Sequence, residues 1–245
     1  MALFSDGSIS TTDDLAAYDS AIMDVASTEG IDLTRKLALA QDELSVMLTS
    51  LLPEDQSCGL GNVVVTTPLR LWHTLRTLAL AYEDAYYNQL NDRYQGKWQA
   101  FAERARWAQE QLMQAGAGFV TDPIPQAQPA VLTEAPAPQP AATYYATVTW
   151  VNASGQEGAP AELRSLEGSA GNSIQVRPVA PPANAAGWNV YVGFSPDAMY
   201  RQNDAPMATD QTWTFTDPAL ATETLPGNGQ APDFLRALPR ILQRG

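Results

Sequence analysis

The chain of 245 residues contains one cysteine and one histidine, Cys58 and His73. A single cysteine excludes an internal disulfide, and these two residues cannot by themselves fill the four positions of a structural zinc site. His73 follows Trp72 in a stretch with helical periodicity, and Cys58 lies in the segment SCGLGN, where no other feature marks it as a nucleophile. We therefore predict a structural histidine, an inert thiol, and neither a metal nor a cofactor.

Basic residues are also scarce, since 14 Lys and Arg face 27 Asp and Glu and the formal net charge is −13. Proteins that bind nucleic acid neutralise phosphates with clustered Lys and Arg, so this balance argues against tight binding of nucleic acid. An acidic wall can still serve near DNA, because it repels the polymer and lets it slide past.

The first part of the chain has no basic residue at all before Arg35, whereas seven acidic residues fall between Met1 and Asp32. A solvated acidic surface explains such a run, and a surface that lines a passage for a polyanion is the alternative. Under the second interpretation, the candidate channel-lining residues are Asp13, Asp14, Asp19 and Asp24.

Long apolar runs and a secretory leader are lacking too. No apolar run approaches the roughly 20 residues that a membrane span needs, so no membrane is expected as a partner. The start, MALFSDGSIS, has neither a basic region nor a long apolar stretch of the kind that precedes a signal cleavage site. We expect a soluble protein of a reducing cytoplasm.

Motifs of catalysis are missing as well. The segment GLGN precedes the apolar run VVV instead of following a strand and opening a helix, and no GK[ST] motif occurs. Ser195 lies in GFSPD, which is not the G-x-S-x-G motif that surrounds a hydrolase nucleophile. Glu83 and Asp84 are adjacent on a predicted helix and point in different directions. We predict that the protein is not an enzyme.

Helical periodicity dominates the first half and predicts a helical domain over 1–120. Helix starts are indicated at Thr11 or Thr12, at Asp32, and at Thr67, which Pro68 follows. About four helices are predicted, in the stretches 11–30, 31–53, 67–90 and 92–116.

The period of the apolar pattern changes after residue 120. Residues 121–142 contain six prolines and predict an extended, polyproline-like linker. Residues 143–232 alternate between apolar and polar in short runs separated by turn residues, which predicts five to seven strands in a small antiparallel β-sandwich of the fibronectin type III variety. The predicted fold class is α+β with several domains, and residues 233–245 form a separate tail.

That tail, FLRALPRILQRG, is basic and apolar at the end of an acidic chain. It is too short to fold alone, so we predict that it docks: its leucines would enter an apolar groove, and its arginines would pair with carboxylates. The predicted partner-binding residues are Phe234, Leu235, Arg236, Leu238, Arg240, Ile241, Leu242 and Arg244.

The helical stretch ERARW offers a second candidate surface. Trp and Arg concentrate at protein interfaces, so Arg104, Arg106 and Trp107 are candidates for contact with a second copy. A core position for the aromatic residue with solvated charges around it is the alternative.

Both halves together resemble the head-to-tail connector (adaptor, or neck) proteins of tailed bacteriophages. The first similarity to connector subunits is the order of the helices within residues 10–118. It is carried by YDSAIMDVASTEGIDLTRKLALAQDELSVML followed by PLRLWHTLRTLALAYEDAYYNQLNDRYQGKW. The second similarity is the fibronectin- or Ig-like module, from VTWVNASGQEGAP to GWNVYVGFSPD, of a kind common on phage structural proteins. A sandwich between the helices and the tail departs from the connector pattern.

This resemblance implies a structural virion protein, assembled in the host cytoplasm, that forms a ring of about twelve copies in the neck of the particle. It also implies a portal protein above, a tail-side stopper protein below, and DNA that passes through the bore without specific binding. The tail would reach the portal.

A virion decoration module is the alternative function. In it the sandwich recognises host carbohydrate or another capsid protein, and the helical half supplies an oligomeric base. Exposed Trp150, Trp188 or Trp213 would favour sugar binding through their flat aromatic faces, although the strand pattern predicts core positions for Trp188 and Trp213.

Overall fold

The computed structural model describes residues 1–50, 52, 58–89, 92–216 and 223–237. Over these residues the chain forms five α-helices and three antiparallel sheets, which confirms the predicted α+β class. The helical unit contains Gly7–Thr121 and the residues from Pro232 onward, and the β unit contains Met1–Asp6 and Asp122–Ala231. The chain therefore passes from one unit to the other three times, whereas consecutive domains were expected.

The helical unit is built around one central helix. Its helices are α1 (Thr12–Tyr18), α2 (Ile22–Glu29), α3 (Leu33–Thr49), α4 (Thr67–Gln89) and α5 (Gln95–Ala115). The four others all contact α4, whose apolar residues are buried on most of its circumference. The core lies around α4 and includes Leu15, Ile22, Leu44, Leu48, Leu75, Leu78, Tyr82, Phe101 and Leu112.

Local signals explain where several helices begin. The side chain of Thr11 accepts a hydrogen bond from the backbone of Asp14, and the Asp14 carboxylate accepts one from the backbone of Thr11, which is a capping box. Asp32 caps α3 by accepting from the backbone N–H of Arg35. The stretch 11–30, predicted as one helix, is instead two, because the backbone of Asp19 is extended (φ −148°, ψ 99°).

The single histidine lies in this core and is fully buried. Its Nδ1 is 3.0 Å from Ser10 Oγ and its Nε2 is 3.0 Å from the carbonyl oxygen of Leu37. Burial lowers the pKa of His73, so the imidazole is held neutral by its surroundings. Its contacts are those of a structural residue.

A small sheet completes the helical unit. It consists of β1 (Val63–Val64), β2 (Ala117–Phe119) and a strand near the end of the chain, Phe234–Arg236, in the order β1, β2, C-terminal strand. Both pairings are antiparallel, and β2 lies in the centre.

The β unit contains the other two sheets. Its strands are β3 (Val131–Pro136), β4 (Ala142–Asn152), β5 (Arg164–Gly168), β6 (Asn172–Arg177), β7 (Ala185–Gly193), β8 (Tyr200–Arg201) and β9 (Trp213–Thr214); the C-terminal strand is β10. One sheet has the order β3-β6-β9 and the other the order β5-β4-β7-β8. A single apolar cluster draws residues from both, and Trp150 pairs with Trp188 inside it.

The proline-rich stretch 121–142 is not a spacer, so that expectation is wrong. Its residues Val131–Pro136 form β3 and pair with six residues of β6, and Ile124, Ala127 and Ala130 are buried in the core of the β unit. Proline is tolerated in β3 because this strand lies at the edge of its sheet, where one row of backbone donors needs no partner. The apolar residues between the prolines are the ones that pack into this core.

Candidate functional site: the seat of the C-terminal strand

The tail predicted to bind a partner begins as strand β10 of its own helical unit. Phe234, Leu235 and Arg236 pair with Phe119, Gly118 and Ala117 of β2. The remaining predicted residues lie outside the described residues, and these are Leu238, Arg240, Ile241, Leu242 and Arg244. The structure thus gives the first three residues an intrachain role that the sequence did not predict.

Two glycines make room for this strand. Gly116 has a φ of +86°, and a Cβ there would lie 2.6 Å from the carbonyl oxygen of Arg236. A Cβ on Gly118 would lie 2.9 Å from Cβ of Pro232. Only a residue without a side chain allows the two backbones to approach this closely.

Two side-chain contacts fix the position of the strand along β2. The Phe234 ring stacks on Phe119 with centroids 5.6 Å apart and planes at 12°. The backbone N–H of Thr121 donates to Asp233 Oδ2 at 2.8 Å, and the Thr121 hydroxyl donates to the same oxygen. Asp233 N–H donates to the carbonyl of Phe119 at 2.8 Å. We call Gly116, Gly118, Phe119 and Thr121 the strand seat.

The strand is nevertheless poorly covered. Phe234 keeps 42% and Leu235 61% of its surface exposed. Within the described residues, no further strand pairs with the outer edge of β10. An exposed edge with apolar side chains is a template for another chain, which makes this region the strongest candidate interaction site of the helical unit.

The four predicted channel-lining carboxylates do not form one set. Asp13 and Asp24 are exposed on α1 and α2, whereas Asp14 caps α1. The Asp19 side chain is only 10% exposed, and its Oδ2 accepts from Tyr82 Oη at 2.5 Å and from Lys97 Nζ at 2.7 Å. Asp19 thus joins the α1–α2 junction to α4 and α5 with a carboxylate largely withdrawn from solvent, and its role as a channel residue stays a prediction.

Charge and burial act in opposite directions on this cluster. Burial disfavours the Asp19 carboxylate, but hydrogen bonds from Lys97 and Tyr82 outweigh it and lower its pKa. Burial and the neighbouring carboxylate raise the pKa of Tyr82 to about 12. The cluster is therefore an ion pair with a neutral phenol, an arrangement that holds helices together.

The candidates on α5 lie at the surface. Arg104 and Arg106 are exposed, and Trp107 keeps 53% of its surface exposed, so a core position for this ring is ruled out. The Arg104 guanidinium lies over the rings of Tyr18 and Phe101, at 5.5 and 5.4 Å from their centroids. Contact of this face with a second copy stays a prediction.

A cleft in the β unit was missed by the sequence reasoning. It has a volume of about 300 Å³ and is lined by Val192, Phe194, Ala198, Tyr200 and Phe215 among others. Phe194 is 57% exposed, whereas Trp150 and Trp188, considered for sugar binding, are 1% and 0% exposed. The only local signal was a phenylalanine placed at a strand end directly before Ser-Pro-Asp.

Over the described residues, no three His, Cys, Asp or Glu side chains are grouped so that they could hold a metal ion. In the same part of the chain, every helix is too short or too polar to span a bilayer. No protein-family model, curated protein or solved structure matches the chain.

Proposed function

We propose that this chain is a structural subunit of a tailed-phage virion, of the head-to-tail connector type. Copies assemble into a ring of about twelve between the portal and the tail-side stopper protein, and DNA passes through the bore. The helices form the ring-building bundle, and the β unit is a fibronectin type III-like sandwich attached to it.

The observation that carries this proposal is the anchored root of the tail. The strand seat holds Asp233 and Phe234 on the helical unit, and the apolar, basic residues follow directly after Ala237. Binding by a short segment costs conformational entropy, and a fixed root reduces that cost because fewer residues must be ordered. A tail anchored in this way suits docking into a portal better than a free one would.

Self-association has its own support on α5. Trp107 is a large ring left half exposed beside Arg104 and Arg106, and interfaces are enriched in these residue types. A ring requires a heterologous contact, in which this face meets a different face of the next copy.

Asp13 and Asp24 are the strongest candidates for a bore that repels phosphate, since both are exposed. Particles with Asp13→Asn and Asp24→Asn should retain or eject DNA abnormally. The matched control neutralises two exposed acids of the β unit, Asp197 and Asp204. Normal retention and ejection in the Asp13/Asp24 variant would remove these residues from the proposal.

Light scattering tests the assembly itself. The mass of the protein is measured alone and after mixing with the cognate portal ring, first for the full chain and then for a chain that ends at Ala237, which keeps β10. We expect about a dozen copies per portal for the full chain, and loss of binding on truncation. Full-chain protein that never joins the portal would refute the proposal.

The arginines can be tested without removing any backbone. Arg240→Ala with Arg244→Ala should weaken portal binding, whereas Arg164→Ala with Arg177→Ala, two exposed arginines of the β unit, should not. Equal effects of the two pairs would indicate a general charge effect instead of tail docking.

The cleft beside Phe194 supports a decoration module as the second candidate function. Phe194 contacts Tyr144 and Phe215 at centroid distances of 5.4 and 6.2 Å and offers an exposed ring at the rim. A glycan or capsid-protein ligand bound there should be lost in Phe194→Ala and kept in Leu163→Ala, an exposed apolar residue that does not line the cleft. Retained binding in Phe194→Ala would exclude this cleft.

A further inference from the structure

The strand seat recognises one particular peptide. Thr121 binds Asp233 and Phe119 stacks on Phe234, while the absence of a Cβ at Gly118 and at Gly116 leaves room for Pro232 and for the backbone of Arg236. Side-chain contacts with Asp233 and Phe234, together with the backbone pairing of β10, suit the segment Pro232–Arg236 of this chain. What remains to be decided is whether the segment comes from the same copy.

The segment stays exposed once it is seated. All three residues of β10 are exposed, in contrast to Val63 and Val64 of β1, which are fully buried. A three-residue edge strand held by backbone bonds, one ring and one carboxylate belongs to the parts of a protein that open most easily. Release and rebinding of β10 therefore need no disruption of the core.

The connection upstream of the seat is short and is fixed at both ends. Gln230 is 2% exposed; its amide oxygen accepts from Ile124 N–H at 2.7 Å and its amide nitrogen donates to the carbonyl of Asp122 at 2.9 Å. Asp233 is held by Thr121 and Pro232 lies against Gly118, which leaves Ala231 as the hinge ahead of the seated segment. Short hinges favour the exchange of identical elements between copies.

We infer that β10 is an exchanged strand in the assembled protein: the seat of one copy binds Pro232–Arg236 of its neighbour. The exchange preserves every contact of the seat, so its free-energy cost is the translational and rotational entropy that the separate copies lose. Passed from each copy to the next, the strand links neighbours in a ring and carries each tail onto the adjacent subunit. This inference rests on the self-assembly proposed above.

Disulfide trapping between two different copies tests the inference. In a Cys58→Ser background, one chain carries Ala117→Cys and the other carries Arg236→Cys, since these residues are paired across β2 and β10. The two are mixed during ring assembly on the portal and oxidised. We expect a product at twice the 26.4 kDa of one chain, which is lost on reduction.

The matched control uses a pair within the β unit. Thr143 and Glu167 are both exposed and are paired across β4 and β5. Thr143→Cys in one chain and Glu167→Cys in the other should give no double-mass product. As Ala117 is buried, Thr121→Cys with Asp233→Cys, two exposed residues whose side chains are in contact, provides a second trapping pair if the first variant unfolds.

Chains that carry both cysteines of a seat pair show whether a failed experiment counts against strand exchange alone or also against the connector proposal. If rings form by light scattering but the disulfide stays within single chains, strand exchange is refuted and the connector proposal stands. If the unsubstituted chain forms no ring on the portal, both are refuted. Interchain product with either seat pair, absent from the control pair, establishes the exchange.

Discussion

The two strands beside β2 differ in what holds them. On one side, Val63 and Val64 of β1 are both fully buried, so this strand is part of the apolar core of the helical unit. On the other side, β10 leaves Phe234 and Leu235 largely exposed and relies on glycine clearance, one stacked ring and one carboxylate. The same central strand therefore carries one neighbour that stabilises the fold and one that can be released.

Replacing the two buried valines of β1 should cause the largest loss of stability. Val63→Ala with Val64→Ala should lower the free energy of unfolding by about 3 kcal/mol, because each deletion removes buried methyl groups and leaves a cavity. Denaturant titration measures the change. Val46→Ala, at a side chain that is 73% exposed, is the control and should be close to neutral.

Blocking the seat should have a smaller and more local effect. Gly116→Ala places a Cβ against Arg236 and imposes strain at a φ of +86°, which costs about 1–3 kcal/mol. We expect fast amide exchange in β10 while β1 stays protected. Gly59→Ala, where no atom lies within 4 Å of the added Cβ, is the control. Equal loss of protection in both strands would show that β10 and β1 are not held independently.

Acid should weaken the helical core around His73, without altering either strand. Because the pKa of His73 is lowered in the folded protein, both states are neutral above about 6.5. As the pH falls through that value, only the unfolded chain takes up the proton, so the free energy of unfolding decreases by up to about 1.4 kcal/mol per pH unit. Unfolding measured from pH 7.5 to 5 should show this slope, and His73→Gln should flatten it.

Loss of the carboxylate contact should be the smallest change. Asp233→Asn removes a charge-assisted hydrogen bond at an exposed site, and we expect about 1 kcal/mol or less of local destabilisation. Amide exchange of Phe234 and Leu235 reports it directly. A global loss of stability would show that β10 is more tightly coupled to the core than its exposure indicates.

Local signals predicted much of the helical unit. Thr11, Asp32 and the Thr67–Pro68 pair mark three helix starts, and the structure begins helices at or beside each of them. The break between α1 and α2 was not predicted, since Asp19 leaves the helix to bind Tyr82 and Lys97, which are 63 and 78 residues away. A partner at that distance leaves no trace in local periodicity.

The proline-rich stretch shows the same limitation in the β unit. Its prolines correctly indicate extended backbone, but extended backbone occurs both in a linker and in an edge strand. Pairing of β3 with β6 distinguishes the two, and no local pattern encodes that pairing. Trp188 and Trp213 were both predicted in the core from alternation; Trp188 is fully buried there, whereas Trp213 is only partly buried against the same cluster.

By itself the sequence determined the α+β class, the change of period between the two halves, most helix starts, and the apolar, basic character of the tail, because each depends on residues close together in the chain. Only the tertiary structure decided that Asp19 binds Tyr82 and Lys97, that residues 131–136 form a strand, and that the segment AGAGF receives PDFLR. Thr121 of the seat and Asp233 of the bound segment are 112 residues apart. Two glycines, a ring and a threonine become a binding site only when the fold brings the segment to them.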